Sequence, residues 1–156
     1  MVFNTPINDR YLEDYVKGDI HRLGSIAVEK DEVIALAPRC DPQSFHVNQQ
    51  AARLTPFGGI IASGWHTAAL TMRLFVEHYL THVASLGSPG IDELRWLKPV
   101  RPGDTLSARV IVLEAVRSKS KPDRGAITSL IEVSNQAGEV VMTFKCVNII
   151  RRRPSR

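Results

Sequence analysis

The segment Asp41-Pro42-Gln43-Ser44-Phe45-His46 sets a carboxylate and an imidazole five residues apart. A loop can fold both side chains onto one water molecule. The carboxylate then orients the water and accepts from it, while the imidazole moves a proton near neutral pH. The same residues also suit a plainer role, a turn-forming Asp before Pro with a solvent-facing His. A second feature follows in Ile61-Ala62-Ser63-Gly64-Trp65. Ser63 reads as the N-cap of a long helix and Gly64 as its first residue. The Gly64 N–H is unhindered and lies at the positive end of the helix dipole. Such a donor suits a developing enolate oxygen, for example a thioester carbonyl. It equally suits close packing at a helix start. A water-activating pair with an oxyanion donor fits addition of water to a conjugated thioester, or the reverse.

Those residues depend on the elements around them. Residues 1–17 read as an irregular arm with an aromatic turn at Tyr11 and Tyr15. Gly18-Asp19 opens a strand to about Val28. Asp31 is the expected N-cap of a short helical stretch, Val33 to Ala37, which Pro38 does not fit and Asp41-Pro42 stops. A helical turn is expected at Asn48 to Arg53, then a loop from Thr55 to Gly59. The long helix should run from Gly64 to about Thr81. Trp65, Ala68, Ala69, Met72, Phe75, Val76, Tyr79 and Leu80 follow helical spacing, with Leu70 and Leu74 partly off that stripe. A helix apolar over most of its circumference should be wrapped by protein.

Beyond Gly87-Ser88-Pro89-Gly90 the apolar period changes to two. Leu94 and Trp96 alternate on one strand, ending near Pro99, and Pro102-Gly103-Asp104 makes a turn. Leu106, Ala108, Val110 and Val112 alternate on the next. Ile127, Ser129, Ile131 and Val133 do so on a third, and Asn135 to Gly138 is a hairpin turn. Val140, Met142, Phe144 and Cys146 form the expected inner face of the last. Four strands in succession predict an antiparallel meander curled around the long helix. This is an α+β hot-dog architecture, a single domain over residues 1–156 with an arm at 1–10 and a basic tail at 151–156. A helix shielded on one side by one sheet implies a second sheet, hence a homodimer or an assembly of dimers.

The signature now resembles a known family. Asp41 to His46, with Ala52 six residues on, is similar to the pattern of the (R)-specific enoyl-CoA hydratases among the MaoC-like dehydratases. That pattern runs Asp, any residue, Asn, Pro, aliphatic, His, five residues, then Ala or Ser. The motif Ile60-Ile61-Ala62-Ser63-Gly64 and the later Arg95-Trp96-Leu97-Lys98-Pro99-Val100 and Pro102-Gly103-Asp104 also resemble it. Gln43, Ser44 and Phe45 depart from the pattern. The resemblance implies that Asp41 and His46 activate a water that attacks C3 of a trans-2-enoyl thioester. It implies that His46 delivers a proton to C2 and that Gly64 N–H stabilises the enolate-like oxygen. It implies an acyl tail beside the central helix, near Phe57, Ser63, Trp65 and Ala69. No metal or redox cofactor is implied; coenzyme A or acyl carrier protein is part of the substrate.

Composition narrows the alternatives. The chain has 156 residues with 44% apolar and 23% charged, as expected of one ordinary soluble domain. Of its 20 basic residues, Arg151, Arg152, Arg153 and Arg156 crowd the last six positions, and without them basic and acidic residues balance. Arg117, Lys119, Lys121 and Arg124 form a second basic group. Either cluster suits phosphates on a small ligand or a solvated edge. Aromatics at 6% give no stacking stripe for nucleic acid. No apolar run is long enough for a membrane span, and the polar N-terminus is unlike a secretory signal, so the expected compartment is cytoplasmic. Cys40 and Cys146 are expected as reduced, half-buried thiols. Glu77, His78 and His82 lie close together without a zinc-protease order or a third ligand, so no metal is expected. His66 lies near the proposed site. Two rivals remain: a thioesterase using Glu77, and a non-catalytic acyl-thioester binding subunit.

Overall fold

The computed structural model describes residues 3–155. Two short 3-10 turns, Ile7–Asp9 and Leu12–Asp14, precede β1 (Ile20–Ala27). Four helices follow: α1 (Lys30–Cys40), α2 (Ser44–Val47), α3 (Gln49–Arg53) and α4 (Gly64–His78). The chain closes with β2 (Gly90–Trp96), β3 (Thr105–Arg117), β4 (Arg124–Ser134) and β5 (Val140–Arg151). The strands form one antiparallel sheet in the order β1-β3-β4-β5-β2. Its inner face packs against α4 to make the core. This is the expected hot-dog fold.

Strand alternation carries the sheet. Leu106, Ala108, Val110 and Val112 of β3 and Ile127, Ser129, Ile131 and Val133 of β4 are all buried, as their period of two requires. Among the inward residues of β5, Met142 and Cys146 are buried while Val140 and Phe144 are half-buried. The strand runs on to bury Asn148 and Ile150 as well.

Sheet order departs from the simple meander. β3, β4 and β5 are joined by hairpins, but β2 pairs with β5 at the far edge instead of beside β3. Residues 97–104 do not close a hairpin between β2 and β3: Pro99 has no N–H to give a ladder, and the turn at Arg101 to Asp104 comes only after the chain has left the sheet. They cross the start of α4 instead, where Ala62 N–H donates to Val100 O at 2.7 Å. That crossing brings Trp96 to Val100 over the helix N-terminus.

The helices show three further departures. α1 begins after Glu29, with Asp31 inside its first turn, and runs through Pro38 to Cys40. Pro38 removes one bond, to the Ile34 carbonyl, on a face where Ile34 is exposed, and Asp41 N–H still bonds Ala37 O at 2.8 Å. α4 ends at Tyr79 because other groups take its last carbonyls. The Arg10 guanidinium and Tyr15 hydroxyl both donate to Tyr79 O, at 2.8 and 2.9 Å. Third, α4 is not wrapped all round. It buries His66, Thr67, Leu70, Thr71, Leu74 and Phe75, and leaves Trp65, Ala69, Met72 and Val76 exposed as an apolar stripe. One sheet covers one side of a helix only.

The termini are tied together. Arg153 bonds Asp9 and Asp14 at 2.9 Å each and sits over the Tyr11 ring, and Arg152 pairs with Glu13. Arg156, the last of the basic tail, lies outside the described residues, as do residues 1–2 of the arm.

Candidate active site

Asp41 caps the C-terminal end of α1, and His46 sits on the single-turn helix α2 that follows. The sequence reading put His46 in a loop; the turn is short but helical. His46 is 3% exposed. Its Nε2 lies 3.1 Å from Asp41 Oδ2, and its Nδ1 lies 2.7 Å from the Ile61 carbonyl oxygen. A carbonyl only accepts, so the bonding network assigns the hydrogen to Nδ1. Nε2 is therefore the ring nitrogen that faces the Asp41 carboxylate.

Asp41 is held by further donors. Ser63 Oγ donates to Oδ2 at 2.7 Å and Gln43 Nε2 to Oδ1 at 2.8 Å. Burial works against the negative charge, but the bonds from Ser63 and Gln43 and the nearby His46 outweigh it. They hold the Asp41 carboxyl below its usual range. Ser63 is also the N-cap of α4, its Oγ accepting from Trp65 N–H at 3.3 Å. One hydroxyl thus fixes the helix start and the carboxylate together.

Gly64 N–H opens this 15-residue helix and finds no acceptor among the described residues. A Cβ at Gly64 would collide with the Trp96 indole, so glycine here also permits close packing. Asp41, His46, Gly64, Phe57 and Trp65 all line one cavity of about 480 Å³, walled further by Trp96. The Trp65 and Trp96 rings meet edge to face at 5.1 Å.

A family model for the MaoC-like domain matches residues 17–135. The chain belongs to the MaoC-like family. It is similar to the crystal structure of a MaoC-like dehydratase from Rhodospirillum rubrum, at 42% identity and TM-score 0.85, covering 94% of this chain and 99% of that one. It resembles the uncharacterised protein YdeM of Bacillus subtilis, 29% identical over 90% of this chain and 99% of YdeM. It is also similar to an (R)-hydratase from A. caviae involved in PHA biosynthesis, at 25% identity and TM-score 0.69, covering 85% of this chain and 95% of that one.

The departures from the MaoC-like signature have local explanations. Ser44 is the first residue of α2, a position where proline is equally at home. Gln43 reaches Asp41 directly. Phe45 packs between the rings of Phe57 and His46, at 5.3 and 4.5 Å.

Other expected residues fall elsewhere. Ala69 is exposed and outside the cavity lining, because it lies on the open stripe of α4. Ser63 faces Asp41 and is likewise not part of that lining. His66 is buried against α1, its Nε2 4.0 Å from Glu32; burial lowers its pKa and Glu32 only partly opposes this. Glu77 is engaged by Arg73 on the exposed face of α4. His82 Nε2 faces the Val76 carbonyl oxygen at 2.9 Å. Among the described residues no group of three or more His, Cys, Asp or Glu side chains converges. Cys40 is exposed and Cys146 buried, so neither thiol is half-buried as expected; burial pushes Cys146 up to about 12.

Both basic clusters sit at the wrong end of the sheet for this cavity. Leu97 bonds Val141 near the start of β5, whereas Arg124 pairs with Arg151 at its end. At about 3.3 Å per residue, β5 separates them by roughly 35 Å. Lys98, read in the sequence only as part of the Arg95 to Val100 motif, is the lysine that lines the cavity, and it is bonded to Glu139. Thr67, also on the wall, was hidden because a polar residue on an apolar helix carries no signal of its own.

Ser63→Ala should cost about 1 kcal/mol of stability through the lost cap, read by urea unfolding. It should also raise the Asp41 carboxyl. A depressed carboxylate stabilises the fold above its unfolded pKa and loses that contribution as pH falls through its folded pKa. In Ser63→Ala the folded carboxyl lies nearer its unfolded value, so the loss on acidification should be smaller and complete at higher pH than in wild type. An unchanged acid unfolding profile would show that Ser63 does not hold Asp41.

Proposed function

We propose that the protein adds water to trans-2-enoyl thioesters with (R) specificity, or removes it from (R)-3-hydroxyacyl thioesters. The observation that carries this reading is the 3.1 Å contact of His46 Nε2 with Asp41 in a cavity that Gly64, the first residue of α4, also lines. Membership of the MaoC-like family and likeness to an (R)-hydratase support it.

In this mechanism a water is held beside the pair, within reach of both the Asp41 carboxylate and His46 Nε2. Its oxygen adds to C3 of the enoyl group, and its proton passes to the Asp41–His46 pair. Nε2 delivers a proton to C2 on the same face, so the pair ends as it began. The product has gained OH at C3 and H at C2. Negative charge grows on the thioester oxygen as C3 is attacked, and Gly64 N–H donates to it at the positive end of α4. Protein groups alone perform these steps; the thiol carrier, coenzyme A or acyl carrier protein, enters with the substrate. Such thioesters are intracellular metabolites, so the reading carries a cytoplasmic location with it. No helix among the described residues is long and apolar enough to cross a membrane.

We also propose a homodimer. The exposed stripe of Trp65, Met72 and Val76 adjoins the free edge of β2, where Ile91 and Trp96 are each 46% exposed. Trp65 and Trp96 belong to both this face and the cavity wall, so a second copy would close the cavity. Met72→Glu is expected to sediment as a monomer where wild type sediments as a dimer. A monomeric wild type would refute the pairing.

The activity is read from loss of enoyl absorbance with crotonyl-CoA and a longer trans-2-enoyl-CoA, with free thiol assayed in parallel. Asp41→Asn and His46→Gln should each lower the rate at least about a hundredfold, with no thiol released by wild type. Activity that survives both substitutions would overturn the pair. Thiol release would make the protein a thioesterase, and saturable binding without turnover a binding subunit.

A further inference from the structure

We infer that Arg101 is a positioning residue that sets the acyl selectivity of the cavity by latching Phe57. The inference rests on the reading that this cavity takes an acyl thioester. Phe57 lies on the segment between α3 and α4, and its ring lines the cavity. The hydrogen bonds within that segment are short-range. Thr55 N–H and Oγ1 reach Ala52 O, Phe57 N–H reaches Thr55 Oγ1, and Gly58 N–H reaches Thr55 O. Gly58, at φ +68°, makes the turn in the left-handed region. Turns of this kind leave a loop free to rock as a unit.

Ile61 and Ala62 at the loop's far end are tied to Phe45 and Val100, and over residues 54–60 one hydrogen bond from a distant part of the chain restrains it among the described residues. Arg101 Nη2 donates to the Phe57 carbonyl at 2.6 Å, from the crossing segment between β2 and β3. The donor is charged and the bond short, which makes it stronger than a neutral pair. Arg101 is exposed and has no carboxylate within ion-pair distance among the described residues, so no ion pair competes with this carbonyl for its guanidinium. The base of the arginine is itself fixed, because its N–H donates to Asp104 Oδ2 at 2.8 Å.

The latch reaches the chemistry through rings. Phe57 packs on Phe45 at 5.3 Å, and Phe45 meets the His46 imidazole edge to face at 4.5 Å. Arg101 therefore holds the Phe57 wall beside the catalytic imidazole without touching substrate. Released, Phe57 would swing from Phe45 and widen the cavity, favouring bulkier acyl groups over small ones.

The test compares wild type with Arg101→Met, Arg101→Lys and Phe57→Ala. Hydrogen exchange over residues 54–60 should quicken about tenfold in Arg101→Met, the scale of one lost charge-assisted bond. Exchange in β3 to β5 should not change. Arg101→Lys keeps a charged donor and should restore much of the protection. In the enoyl assay, Arg101→Met should shift kcat/KM from crotonyl-CoA toward the longer substrate mainly through KM, and Phe57→Ala should shift it the same way. The double variant should show no further shift. Both tryptophans of the chain line the cavity, so fluorescence titration with butyryl-CoA and octanoyl-CoA reads the same selectivity without turnover. Unchanged exchange over 54–60, or unchanged selectivity in both assays, overturns the latch. A wild type that binds but does not hydrate, with exchange and binding selectivity altered in Arg101→Met, overturns the hydratase reading and leaves the latch standing.

Discussion

A carboxylate at the junction of two helices organises this site. Asp41 gathers Ser63 from the start of α4, Gln43 from its own loop and His46 from α2. Desolvation penalises its charge, and the bonds repay that penalty only while all three elements stay in register. The Asp41 carboxylate, a reactant group in the proposed mechanism, is therefore also the tie between α1, α2 and α4. His46 is fixed from its other side by the Ile61 carbonyl, two residues before the cap. The same short segment thus supplies a hydrogen-bond acceptor at Ile61, a cap at Ser63 and a free N–H at Gly64.

The sheet serves this arrangement indirectly. The unusual placing of β2 beside β5 sends residues 97–104 across the start of α4. That crossing delivers Trp96 against Gly64 and Val100 against Ala62, so the helix start is walled by chain distant in sequence. The apolar side of α4 left uncovered includes Trp65 of the cavity wall, so the proposed second copy seated there would shape the cavity.

The local parts of this structure were legible in the sequence. The Ser63-Gly64 helix start was read correctly because capping chemistry acts over a few residues. The alternation of β3 and β4 was read correctly because the strand period is local too. The Asp41–His46 pair was visible as residue types, although the partners that aim it were not. A backbone carbonyl such as Ile61 O has no sequence signature, and the Ser63 bond spans 22 residues. The buried face of α4 was misjudged because apolar residues were counted alone. Thr71 is buried with its hydroxyl satisfied by Thr67 O, so polar residues fill part of the buried face, which the spacing of apolar residues did not mark. The order of strands was missed because pairing is a long-range property, and succession in sequence says little about which edge a strand takes.

The central claim is that Ile61 locks the His46 ring so that Nε2 alone trades protons with Asp41 and the reacting water. Nitrogen-15 NMR of the imidazole, with His46 assigned by its absence in His46→Gln, tests this directly. The expected result is a neutral ring with its hydrogen on Nδ1, and an altered Nε2 signal in Asp41→Asn. A neutral ring carrying its hydrogen on Nε2, with Nδ1 bare, would contradict it.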